Sequence, residues 1–185
     1  MSIKVKKHQK QTMEEKLNTL RAGVLGSNDG ILTVVGVLVS VAAATSDRFT
    51  IFIAGLSDLL ACAFSMASGE YASVSTQKDT EKAAVAKEEQ LLKNDYEGEL
   101  AAVKEYYVNK GVTPETSIKI AKDLLNKKPL ETVVRIKYDI ELGHYLNPWD
   151  AAFSSLFSAA AGGLIPLMAM TFAPEAYKWY AVILA

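Results

Sequence analysis

Cysteine occurs once in these 185 residues, and a single thiol excludes both a disulfide framework and a thiolate zinc site. Cys62 stands inside an apolar stretch, where it reads as a small core residue. An excess of either charge is missing too: the formal net charge is -1, which disfavours a nucleic-acid binder held by phosphate attraction. The start, Met1 to Lys7, is basic, but no apolar h-region and no small-residue cleavage site follow it. The first apolar stretch is therefore expected to be a retained anchor. No nucleotide-binding glycine loop, nucleophile elbow or triad pattern occurs, so covalent catalysis, and an enzyme, is not expected. Nor is a tightly bound cofactor.

What the sequence does have is segregation. Charge fills Met1 to Arg21 and Gln77 to Glu141, while apolar residues fill Ala22 to Ala44, Phe49 to Met66 and Ala151 to Ala173. A helix needs roughly 20 mostly apolar residues to cross a bilayer. Ala22 to Thr45, Phe49 to Ala72 and Pro148 to Ala173 qualify, each with small residues that let helices approach closely. Trp149, Tyr177, Trp179 and Tyr180 suit a membrane interface. Tyr177 to Ala185 is expected to begin a fourth span that stops partway. The expected class is all-α, with polytopic membrane helices and a cytosolic helical bundle inserted between spans two and three. The expected divisions are a basic N-terminus at 1–21, spans one and two at 22–72, a cytosolic helical domain at 73–147, and span three with a truncated fourth at 148–185.

Lys4, Lys6, Lys7, Lys10, Lys16 and Arg21 precede span one, whereas the first hairpin carries Arg48 alone. This bias predicts a cytosolic N-terminus, with a bacterial plasma membrane the preferred location. Tyr71 to Lys93 contains no Gly or Pro and is rich in helix formers, so span two is expected to run on as one helix to a break at Asn94-Asp95. Further helices are expected from Tyr96 to Asn109, from Thr113-Pro114 to Lys127, and from Pro129 toward Gly143.

Acids inside spans are costly and mark candidate sites. Asp29 lies in Gly26-Ser27-Asn28-Asp29-Gly30 of span one, and Asp58 in the middle of span two. Met66 follows two helical turns later and Glu70 one turn after that, on the same face. Carboxylate oxygens with a thioether suit iron(II) or manganese(II) better than magnesium or calcium, and the same acids could exchange protons. The competing structural readings are that Asp29 caps a helix or pairs with Arg21, that Asp58 bonds a neighbouring Ser, and that Met66 is packing. Glu141-Leu142-Gly143-His144 has a Glu-x-x-His spacing, but only one copy is present and Gly143 marks a helix end.

At these residues the sequence resembles the vacuolar iron transporter family, whose members move iron(II) and manganese(II) out of the cytosol. The matching stretches are Arg21 to Gly30, Ser65-Met66-Ala67-Ser68-Gly69-Glu70-Tyr71, Ser73 to Gln77, and Asn147-Pro148-Trp149. The resemblance implies a homodimer of five-span subunits with a path between them, lined by Asp29, Asp58 and Met66. It also implies proton-coupled export and a cytosolic metal-binding domain in which Glu88, Glu99 and Glu141 fall at ligand positions. Leu91 and Ala102 stand where further glutamates of that domain are expected, and the last two spans are missing apart from the stretch after Tyr177. The favoured reading is a metal/proton exchanger whose partners are divalent metal ions and the lipid bilayer, with no nucleic acid. The rivals are a non-transporting membrane metal binder or sensor, and a structural membrane protein whose charged helices bind another protein.

Overall fold

The structure is a computed structural model that describes residues 13–174. The basic start and the expected fourth span lie outside the described residues. Among the described residues six helices follow one another: α1 (Met13–Ala44), α2 (Arg48–Asn94), α3 (Tyr96–Asn109), α4 (Pro114–Lys127), α5 (Pro129–Tyr138) and α6 (Pro148–Phe172). Among the described residues there is no strand. Three of the helices, α1, α2 and α6, are long and apolar enough to cross a membrane. The chain divides into two compact units, Met1–Ser75 with Asn147–Ala185, and Thr76–Leu146.

In the first unit α1 packs along α6 through small residues. A side chain at Gly30 would collide with the backbone of Ala159, and one at Gly162 with the backbone of Ser27. At Gly26 a Cβ would lie 2.8 Å from the Ser155 carbonyl. Glycine is required on both faces because the two backbones approach this closely. Val34, Leu38, Ile51, Leu59, Leu167 and Met170 close the core deeper along the three helices. Other large apolar residues point away from that core: Leu60, Phe64, Phe157, Leu164 and Met168 are all exposed. A small-residue contact between helices, with large apolar side chains left on the outer surface, is the arrangement expected where the surrounding solvent is lipid. Asn147 caps α6 by accepting from the Trp149 N–H at 3.2 Å. Trp149 lies against Tyr71 with ring centroids 4.8 Å apart.

In the second unit, α3, α4 and α5 gather with the last turns of α2 around Leu100, Val103, Ala121, Leu125, Val133, Val134 and Ile140. Asp95 caps α3 by accepting from the Gly98 N–H at 3.0 Å. Thr113 occupies the N-cap position of α4, but its hydroxyl donates to Thr116 rather than capping the helix. The expected run of α5 toward Gly143 is corrected: the helix stops at Tyr138, and Asp139 turns into the left-handed region with φ of 55°. The Ile140 N–H then bonds the Val134 carbonyl at 3.3 Å, six residues back, and Ile140 folds back onto the core.

Candidate functional site

Polar residues of α1 and α2 meet in the first unit. Asp29 accepts from the Cys62 thiol at 3.5 Å. The Arg21 guanidinium lies 3.8 Å from Glu70. Each of these pairs lies eight residues from the other along its helix, about 12 Å at 1.5 Å per residue, so α1 and α2 run antiparallel in one constant register. That register sets Thr33 level with Asp58, and each carries a buried oxygen with no hydrogen-bond partner. Asp58, Cys62, Met66 and Glu70 follow at four-residue intervals, a stripe along one side of α2. Asp29, Asp58, Met66 and Glu70 are all partly buried.

This geometry decides between some of the sequence alternatives. Arg21 is placed against Glu70, not against Asp29. Asp29 stands in the middle of α1, far from any helix end it might cap. Ser57 donates to the Ile53 carbonyl at 2.8 Å, so this neighbour does not serve Asp58. Cys62 is buried, as expected of a small core residue, and it also fills the step between Asp58 and Met66 in the four-residue spacing. The four-residue interval was the signal in the sequence.

The remaining candidates lie in the second unit, where Glu88 on α2 and Glu99 on α3 are brought together. Between them stands Lys137 of α5, whose Nζ donates to Glu88 Oε2 at 2.8 Å and to Glu99 Oε1 at 2.7 Å. The Tyr138 hydroxyl donates to Glu88 Oε1 at 2.8 Å. Burial works to raise the Glu88 carboxyl, but the hydrogen bonds from Lys137 and Tyr138 outweigh it and hold the group below the usual carboxylate range. Burial likewise opposes charge on Lys137, and its bonds to the two glutamates outweigh that, lifting it above the ordinary lysine value. Sequence reasoning passed over Lys137 and Tyr138. The clue was their position: they follow the buried Val133 and Val134 by four residues each, so they extend the core-facing side of α5 with polar groups that need partners.

Glu141 and His144 are exposed, and they stand beyond the end of α5. A Glu-x-x-His pair aims both side chains at one metal only when a helix carries it, and here the His144 N–H simply bonds the Glu141 carbonyl at 3.2 Å. Among the described residues no three of His, Cys, Asp and Glu come together as a metal-holding group. In the second unit the two gathered carboxylates already have a cation, so the arrangement there does not fit a metal ion.

Comparison with known proteins adds to this geometry. A family model described as the VIT family matches residues 20–185. A protein named vacuolar iron transporter from Acanthamoeba castellanii is 38% identical over 88% of this chain and 59% of its own length. Vacuolar iron transporter homolog 2 from Oryza sativa is 29% identical over 83% of this chain and 59% of its own. VIT-like transporter 1b from Glycine max is 28% identical over 87% of this chain and 53% of its own. The chain thus spans between half and three fifths of these relatives. All are named transporters and none an enzyme. The bacterial plasma membrane preferred from the basic start finds no support in their names.

Proposed function

The chain belongs to the VIT family, and from that premise we propose that it forms part of a carrier moving divalent iron or manganese out of the cytosol in exchange for protons. The observation that carries this reading is the state of the acids in α1 and α2. Asp29 has a weak thiol donor as its partner, and Asp58 keeps a buried oxygen with none. A carboxylate inside hydrocarbon costs several kcal/mol, on the order of 2.5–3.5 even on the mildest scale. A passing cation or a proton would supply the missing charge.

In this reading Glu70 and Met66 receive the ion at one end of the stripe, and Asp58 and Asp29 hand it across the membrane. Protons returning on the same acids supply the coupling. The path lies between two copies of the chain. One copy brings together no three metal-ligating side chains among the described residues, whereas a homodimer doubles each ligand along the stripe. The N-terminus and the Thr76–Leu146 unit are placed in the cytosol because the lysines cluster before α1 and throughout that unit.

The test is flux into proteoliposomes under a proton gradient, with iron(II) or manganese(II) as the ion. Asp29→Ala, Asp58→Asn and Met66→Ala should each lower the rate by about tenfold or more, the change that roughly 1.4 kcal/mol of lost stabilisation produces. Unchanged flux in Asp29→Ala and Met66→Ala would remove the stripe from the mechanism.

A further inference from the structure

Glu88 and Glu99 are 1% and 5% exposed, on two different helices, with a single ammonium between them. Lys137 Nζ bonds one oxygen of each. It also lies 2.6 Å from the second oxygen of Glu99, an ion-pair contact outside good hydrogen-bond alignment. The second oxygen of Glu88 takes the Tyr138 hydroxyl. All four carboxylate oxygens are therefore in contact with a donor, and every one of those donors comes from two adjacent residues of α5.

Two buried carboxylates this close repel each other, and removing them from water is expensive unless positive charge comes with them. A hard divalent ion satisfies that need by drawing carboxylate oxygens to about 2.0–2.6 Å. Here the chain satisfies it with its own ammonium. We propose that Lys137 is a built-in cation that decides what this carboxylate pair accepts, and that it closes the pair to free divalent iron and manganese. A dication could enter only by extracting Lys137 from two ion pairs and displacing the Tyr138 hydroxyl. The tether makes that exchange unfavourable, because the ammonium is held beside the pair at an effective concentration that a free ion in solution cannot match. Lys137 thus determines specificity by exclusion. The same bonds give the two carboxylates a structural role, since they tie α2, α3 and α5 together. This inference does not rest on the membrane stripe and stands or falls separately from it.

The experiment uses the full chain in detergent, with Mn2+ alone as the probe, and counts bound ions by calorimetry and by loss of the free-ion paramagnetic resonance signal. Wild type and Glu88→Gln should bind the same number of Mn2+ ions, because the pair contributes no site. Lys137→Met should gain one ion per chain with affinity at least about tenfold tighter than any residual binding, a difference of roughly 1.4 kcal/mol. The gain should vanish in the double variant Lys137→Met with Glu88→Gln, and Lys137→Arg should show none. Mn2+ should also raise the melting temperature of Lys137→Met without raising that of the wild type. If Glu88→Gln costs the wild type one Mn2+, the pair already binds metal and the proposal fails, whatever the folding of Lys137→Met. A folded Lys137→Met that gains no ion overturns it equally.

Discussion

The two units of this chain both bury apolar side chains but differ in what they leave outside. In the unit built from α1, α6 and the first part of α2, small residues line the α1–α6 contact beside a core of Val34, Leu38, Leu59 and Leu167, while Leu60, Phe64 and Phe157 face out. In the Thr76–Leu146 unit, Leu100, Val103, Leu125 and Val133 are inside and the charges are outside, apart from Glu88 and Glu99. The difference lies in the forces that can hold each unit together. Lipid offers no hydrophobic drive to bring helices together, so close backbone approach must hold the first unit. An apolar core under a charged surface, as in the second, is what the hydrophobic drive of water can hold. Asp58 keeps an unpartnered oxygen, whereas Glu88 has a donor on each oxygen, and the Glu99 oxygen without a hydrogen bond still has the Lys137 ammonium 2.6 Å away.

The comparison is broken or sharpened most strongly at Leu125, which is 2% exposed. Leu125→Ala should destabilise the second unit by about 2–5 kcal/mol, read as faster amide exchange throughout α3, α4 and α5, with α1 and α6 unaffected. Next comes Gly30→Leu, which must push α1 off Ala159. Overpacking of this kind should cost about 1–3 kcal/mol, visible as a lower melting temperature of the detergent-solubilised chain. If Gly30→Leu is neutral, the account of the first unit as a small-residue interface is wrong.

Acidity should separate the units as well. Glu88 is held below its usual 4.5, with burial opposing the shift and the Lys137 and Tyr138 bonds prevailing. Its stabilising effect is therefore complete above about pH 4.5 and is lost as pH falls through the depressed folded-state value. Lys137 is raised above its usual 10.5, burial again opposing and the two glutamates prevailing. Its contribution is complete below that value and disappears as pH rises through the higher folded-state one. Melting of the second unit, followed from about pH 3 to about pH 11, should show a plateau with losses at both ends. Glu88→Gln should flatten the acid side. The smallest effect belongs to Leu60→Ala. Leu60 is already 48% exposed, so the change should stay within about 0.5 kcal/mol in detergent, in contrast to the same substitution at Leu125.

Much of the helix layout was legible in the sequence. The limits of α3 and α4 follow from Asp95, Gly111 and Pro114, because caps and breakers act within a few residues of themselves. The end of α5 was not legible. Nothing local forbids helix at Asp139 to Leu142, and the stop depends on Ile140 finding the core formed with α3 and α4. In the membrane-spanning helices, Asp29 and Asp58 were conspicuous because charge is rare in an apolar run. Cys62 showed only its four-residue spacing from Asp58 and Met66, and its contact with Asp29 needed α1 beside it.

By itself, the sequence determined which stretches are helical, which are long and apolar enough to cross a bilayer, and which acids stand within them. Those properties are set by composition and spacing within a single segment. Only the tertiary structure decided who meets whom: Lys137 joins glutamates 49 and 38 residues away, and Cys62 meets Asp29 from 33 residues away. Such pairings depend on how separate helices pack, and the register between two packed helices is a property of both surfaces together, written in neither segment alone.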